Sequence, residues 1–479
     1  MLKGILKDTL VYSAASFIAK GVGFFLIPLY TRLLSPADYG TLDLLNVFMA
    51  FAVVVISGEL FQGVARFLPE MKTEEEKALC ASTTLLVVFS SFVVFVGVSL
   101  AFSGTISGLL LKNRGSADII RLALPWIALS ALLETCQSQL RYDLKSRQYS
   151  VASVLVVSVS LASTVLFVLV FKLGVRGFIL GQMLGSFAGV LASFSFARNR
   201  YRFAISGKLL KQMLTFSLPL IPSSLTVLLW SYIDRFFIRN YLSIGEVGIY
   251  GIGVRFASLA SILLMGMNMA LTPIIYASYK KEETPENLSR IFSLFVLAVT
   301  PLLMGALFFS REVLVVMTTE KYYAAAAVIP FLMTGAILSQ LYNFAPGIFI
   351  AKKTYLIIVV NAVACLFSVG ANLLLIPRIG ILGAGIVNAA NGLVVFSIYI
   401  LFGQRVYKIP YRGGDIVIAC ASVAVSFLVC RFALDGMQVF SWRSLALKGA
   451  LFAALCVFPF VRIVKYARVW RAAGAGQSR

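Results

Sequence analysis

A chain of 479 residues that is 60% hydrophobic, with a mean hydropathy of +0.92, carries more apolar surface than a water-soluble core can hide, which excludes an ordinary soluble enzyme. Its formal net charge is +22, from 42 lysines and arginines against 20 acids, and it has no histidine. Without histidine the usual near-neutral proton shuttle and a common metal ligand are both missing, so any ion coupling must rest on carboxylates or lysine.

A crossing helix needs about 20 predominantly apolar residues, and the chain supplies about fourteen such stretches. In chain order they fall at 10–30, 41–64, 79–102, 119–139, 150–171, 177–197, 213–236, 247–271, 291–309, 325–350, 355–376, 381–402, 415–432 and 444–462. Pro346 is expected to break or kink the tenth. The segments are uniformly apolar rather than alternating, which argues against a membrane β-barrel. The first lacks a clear small-residue cleavage site and reads as retained structure rather than a signal peptide. The six cysteines, Cys80, Cys136, Cys365, Cys420, Cys430 and Cys456, lie in or at apolar spans without CxxC spacing and behave as small hydrophobes.

The basic residues are not spread evenly between the spans. With the N-terminus in the cytoplasm, most of the 42 fall in inside segments, among them Lys72, Lys77, Lys145, Arg147, Arg198, Arg200, Arg202, Lys280 and Lys281. Both termini are therefore expected to be cytoplasmic. Such a rim attracts anionic phospholipids. Nucleic-acid binding gains no support, because there is no separate basic domain or aromatic platform.

The chain also repeats itself weakly. Ser35-Pro36-Ala37-Asp38-Tyr39-Gly40 corresponds to Ser243-Ile244-Gly245-Glu246-Val247-Gly248, and Gly58 to Gly266 at the same offset. Gly174-Val175-Arg176-Gly177 similarly corresponds to Gly380-Ile381-Leu382-Gly383. The expected architecture is an all-α polytopic membrane protein of about 14 transmembrane helices: an N-terminal six-helix lobe over 1–205 and a C-terminal six-helix lobe over 206–405, related by a pseudo-two-fold. An extra helix pair with a basic cytoplasmic tail follows over 406–479.

Ionisable residues inside spans mark candidate sites. Lys20 lies within the first span and Arg255 within the eighth. Span 2 carries Glu59, Gln62 and Arg66, and span 4 carries Glu134, Gln137 and Arg141. Both triplets have spacing i, i+3, i+7, which puts each on one helical face. Met267, Ala270 and Ile274, then Gln340, Asn343 and Gly347, occupy the corresponding places in the second half, so the ionisable wall is expected in the first. Each residue keeps a structural alternative. Lys20 either pairs with Glu59 or Glu134 or meets an anion, Arg66 and Arg141 are either interface anchors or cavity residues, and Asp234 either pairs locally with Arg235 or joins Glu59 and Glu134 as an ion site.

The stretch from Ile27 to Gly40 (IPLYTRLLSPADYG) resembles the polysaccharide biosynthesis flippase family, within the superfamily that also holds multidrug extruders and lipid II flippases. Gly58 through Glu70 (GELFQGVARFLPE), Asn372 through Pro377 leading to Gly385, and Thr272-Pro273-Ile274 support the resemblance. It implies a bacterial cytoplasmic (inner) membrane protein of lipopolysaccharide, O-antigen or exopolysaccharide synthesis. Such a protein moves an undecaprenyl-diphosphate-linked oligosaccharide from the cytoplasmic to the external leaflet by alternating access, without covalent chemistry. The resemblance implies that Lys20, Arg66, Arg141 and Arg255, with Gln62 and Gln137 beside them, meet the diphosphate and sugars. No Walker motif or soluble ATPase domain is present. Either a cation gradient, with Glu59, Glu134 or Asp234 binding the coupling proton or sodium, or removal of the product outside is therefore expected to supply the direction, with no other cofactor. A monomer working with a polysaccharide polymerase and chain-length machinery is the expected assembly. The rival readings are a lipid II flippase or a multidrug/cation antiporter of the same superfamily, and, more remotely, a membrane polymerase or ligase.

Overall fold

The computed structural model describes residues 24, 26–202, 204–351, 353, 355–434 and 440–477. Lys20 lies outside them. Among the described residues, ten helices are long and apolar enough to cross a membrane, or up to twelve if two bent helix pairs are each taken as one span. The protein is thus an all-α polytopic membrane fold, and its described helices group into two compact units, Met1–Gly251 and Ile252–Arg479.

The first unit holds α1 (Ile27–Leu33), α2 (Pro36–Ser57), α3 (Leu60–Phe67), α4 (Glu74–Ala101), α5 (Ser103–Leu111), α6 (Ala117–Tyr142), α7 (Ser146–Val165), α8 (Gly174–Ala197), α9 (Gly207–Ser217) and α10 (Leu220–Tyr241). Caps set several starts. Ser35 accepts from the Asp38 amide while Asp38 accepts from the Ser35 amide, and Thr73 and Glu76 do the same for α4. Half of the most apolar window of α6 is buried, against 17% for α4 and for α7, so α6 is central and the other two are peripheral. The apolar side chains left exposed, such as Val94, Leu109 and Val170, suit a lipid solvent. Helices α7 and α8 meet along a small-residue seam, where a Cβ at Gly185 would fall 1.8 Å from Ser160 Oγ.

The second unit contains all but the first turns of α11 (Ile244–Ser278), then α12 (Thr284–Met317), α13 (Ile329–Gln340), α14 (Gly347–Ile350), α15 (Tyr355–Ile379), α16 (Ile381–Val406), α17 (Gly413–Phe432) and α18 (Trp442–Gln477). The break expected at Pro346 is present. Helix α13 stops at Gln340, a 3-10 turn follows, and Pro346 caps the short α14. Buried Phe292, Phe344 and Phe396 form the nearby core, with Phe292 5.2 Å from Phe344 ring to ring. The Gln404 side chain closes the loop after α16 by bonding both the amide and the carbonyl of Ile409.

The sequence repeat has a direct structural counterpart inside the first unit. A Cβ at Gly40 would fall 1.9 Å from the Ile244 carbonyl oxygen, and one at Gly248 would fall 2.0 Å from that of Pro36. Pro36 corresponds to Ile244 and Gly40 to Gly248, so the contact is reciprocal, as a two-fold relation requires. The caps correspond too, since Ser243 accepts from the Glu246 amide at 3.1 Å as Ser35 accepts from Asp38.

Candidate functional site

The charged residues of the first unit divide by their surroundings. In its interior, Arg235 of α10 donates from Nε to Asp43 Oδ2 of α2 and from Nη1 to Asp234 Oδ1, each at 2.9 Å. The Tyr250 hydroxyl, at the start of α11, donates to the other Asp234 oxygen. Tyr232 and Tyr250 bring their rings to 5.0 and 5.6 Å from the guanidinium. Arg235 is 4% exposed and Tyr250 fully buried. Two carboxylates thus share one guanidinium in a low-dielectric place, where only full hydrogen bonding makes the charges tolerable. Asp234 does pair with its neighbour Arg235, but the pair is part of a cluster joining α2, α10 and α11. Sequence reasoning passed over Asp43, although an aspartate three residues into an apolar span was a signal.

In α6, Arg141 donates to Glu134 at 2.6 Å and to Ser138 at 2.7 Å, so Glu134 and Arg141 do share a face two turns apart. The pair is only half-buried. Gln137 turns to Ser153 of α7 at 3.5 Å.

In the other triplet, Gln62 and Arg66 share the exposed face of α3, whereas Glu59 lies outside that helix as its N-cap. Gly58 and Glu59 both adopt left-handed backbone, φ 56° and 54°, which ends α2 and starts α3 in a new direction. The single-face expectation for Glu59, Gln62 and Arg66 presumed that Glu59 was helical, and its left-handed backbone takes it off the face that the other two share. Arg66 is exposed and paired with Glu70, Gln62 is exposed, and Glu59 is buried at the break. Arg255 is exposed on α11 in the second unit.

Several basic residues of the expected rim also pair with acids. Arg200 reaches Glu74 and Asp143, and Arg202 reaches Glu75 at 3.0 Å. Beside them burial pushes the Tyr201 phenol well above its ordinary value, so it stays neutral. A small cavity of about 10 Å³ lies between Phe61, Thr84, Thr135, Tyr142 and Tyr201. It has room for a single water and excludes a sugar or diphosphate. In the second unit, Lys448 of α18 pairs with Glu312 of α12, both largely buried, a pair that sequence reasoning did not single out.

Residues 29–327 match the family described as polysaccharide biosynthesis protein. The chain belongs to the polysaccharide biosynthesis protein family. A relative, the Lsg locus putative protein 1 of Haemophilus influenzae, is 21% identical over 299 residues, covering 62% of this chain and 72% of the relative. Among solved structures, a lipid II flippase, MurJ, in an inward closed conformation superposes with TM-score 0.72 at 14% identity, covering 97% of this chain and 99% of that one. An inward-facing multidrug resistance MATE transporter of the MOP superfamily gives TM-score 0.62 at 16% identity, covering 80% and 93%. At these identities the likeness establishes the fold, which this polysaccharide biosynthesis protein shares with transporters of that superfamily.

Proposed function

We propose that the chain is a flippase that carries a polyprenyl-diphosphate-linked oligosaccharide from the cytoplasmic to the external leaflet of the bacterial inner membrane, with no covalent step. The observation that carries this reading is the polysaccharide biosynthesis family match, joined to a transporter fold over nearly the whole chain. Desolvating a charged diphosphate in hydrocarbon is too costly for unaided passage. Basic and amide groups must replace its hydration while the lipid tail stays in the bilayer. Arg66, Arg141, Arg255, Gln62, Gln137 and Lys20 are the candidates for that role, and anionic phospholipids are candidate ligands of the basic rim.

The finer architecture belongs to the same proposal: fourteen helices, lobes over 1–205 and 206–405, an added pair over 406–479, and both termini cytoplasmic. In this scheme α2 and α10–α11 come from different lobes. The Gly40–Gly248 contact and the Arg235 cluster then close the external end, and alternating access separates them. A polymerase and chain-length machinery would consume the product outside.

The test is translocation of a defined undecaprenyl-diphosphate-linked oligosaccharide in proteoliposomes, read by headgroup accessibility at equal protein amount. Wild-type protein is expected to expose the headgroup and Arg141→Ala to slow it. Absence of translocation together with efflux of cationic dyes would replace the reading with a multidrug one. A second reading, lipid II transport, draws on the likeness to the lipid II flippase fold, and the same assay with lipid II as cargo decides between them.

A further inference from the structure

Helices α5 and α10 end beside each other, and each end receives a cation from the other. Lys112, which follows α5 in left-handed backbone, donates from Nζ to the Asn240 carbonyl in the last turn of α10 at 2.7 Å. Arg239 of α10 donates in return from Nη1 to the Leu109 carbonyl in the last turn of α5. It also donates from Nε, at 3.2 Å, and from Nη2 to the Asn240 side-chain oxygen. Arg114 lays its stem on the same short helix, where a Cβ at Gly108 would fall 3.2 Å from Arg114 Cγ.

Among the described residues, no carboxylate pairs with any of these three cations, although Arg239 is only 9% exposed. Arg235, one turn earlier on α10, has Asp43 and Asp234, and Arg176 has Asp118. Helix C-termini supply part of the missing charge. Each is equivalent to about half a negative charge, so the two offset about one of the three positive ones. About two remain beside a guanidinium withdrawn from water, where an uncompensated charge is costly. Donors remain as well, because Arg239 uses three of its five N–H groups and Lys112 one of its three.

A phosphodiester headgroup brings one negative charge, whereas a diphosphate esterified at both ends brings two and offers more acceptor oxygens. The apolar surroundings attach that anion to a lipid. Leu109, Tyr241 and Leu242 are exposed next to the cations, and Phe237 stacks on Tyr241. Exposed aliphatic side chains with a tyrosine and basic groups at helix ends are the composition of a membrane interface.

We propose that the α5–α10 corner is a lipid-diphosphate site, in which Arg239 and Lys112 turn their remaining N–H groups to the diphosphate oxygens, Arg114 adds charge, and Leu109, Tyr241 and Leu242 flank the lipid chain. It rests on the flippase reading, in whose topology this corner is at the external end and receives the headgroup after the crossing.

The test reads the Lys112 amine itself. Full-length protein in phosphatidylcholine nanodiscs is acylated with a water-soluble N-hydroxysuccinimide ester, and labelling of each lysine is followed by peptide mass spectrometry. A bound headgroup shields the amine. Undecaprenyl diphosphate at about ten times its dissociation constant should therefore slow Lys112 labelling about tenfold, while exposed Lys172 reacts as before. Phosphatidylglycerol at the same mole fraction should slow it far less. Arg239→Gln, whose amide can still donate to the Leu109 carbonyl, should lose the protection, and Arg114→Gln, at an exposed position, should weaken it. Protection that is absent in the wild type, equal with phosphatidylglycerol, or unchanged in both variants overturns the proposal. Comparing the bare carrier with its oligosaccharide-linked form tells which of these diphosphate lipids the site prefers. Translocation by the same protein in liposomes separates the two readings. A wild type that moves the glycolipid without shielding Lys112 loses this site alone, whereas shielding without movement keeps the site and removes the flippase reading.

Discussion

Each unit buries an ion cluster in helices that otherwise face apolar neighbours, and the two clusters are built differently. In the first, two carboxylates share Arg235, Tyr250 donates to one of them, and the partners come from α2, α10 and α11. In the second, one carboxylate meets one ammonium between α12 and α18, and the second Glu312 oxygen has no partner. Buried pairs add little net stability over apolar substitutes of similar size, whereas losing one partner is severe. Their difference therefore lies in what they join. The Arg235 cluster links helices that the repeat assigns to opposite halves, beside the reciprocal glycine contact. The Lys448 pair fastens α18 to α12 within the second unit.

Removing Arg235 should be the most damaging change, because Arg235→Ala strands two carboxylates at once, with an expected loss of about 3–5 kcal/mol. Thermal unfolding in detergent measures it. Adding Asp43→Asn should restore part of the stability but not translocation, and a double variant as unstable as the single one would show that the cluster does not act as a unit. Lys448→Met should cost about 3 kcal/mol by stranding Glu312, and adding Glu312→Leu should return stability to the wild-type level or above. Translocation by that double variant should stay near normal, and if it is lost the two clusters are not different in kind. Gly248→Ala comes next. Its new Cβ would meet the Pro36 carbonyl oxygen at 2.0 Å, an overpacking expected to cost about 1–3 kcal/mol. Gly97→Ala, where no atom lies within 4 Å, is the matched control and should stabilise by about 0.4–1 kcal/mol.

Apolar length and composition made the helical membrane fold legible, because they report directly on the solvent each segment requires. The faint Gly40–Gly248 repeat was legible as well, and its reciprocal contact gives it a steric cause. What the sequence hid was pairing at long range. Asp43 and Arg235 are far apart in the chain, as are Glu312 and Lys448, and helical spacing describes only neighbours on one helix. The break at Glu59 was missed for a different reason. Gly58 sits inside the stretch read as one span over 41–64, and hydropathy does not register a left-handed turn. Glu134 and Arg141, by contrast, were placed correctly on one face because α6 is continuous through both.

That half-exposed pair sharpens the comparison from the other side. Its side chains remain 44% and 41% exposed, so water screens both charges, and breaking the pair should change stability by no more than about 1 kcal/mol. Any change in translocation then reports on the role of Arg141 rather than on folding. Glu134→Gln removes the acid that competes for the guanidinium, so an anionic headgroup should bind more tightly and the half-saturating glycolipid concentration should fall. Arg141→Ala should raise it, and added salt should narrow the gap between the two variants, since an exposed charge contact is screened. If both variants transport like the wild type, Arg141 is only an interface anchor, and the recognition of the diphosphate must be sought among the other basic candidates.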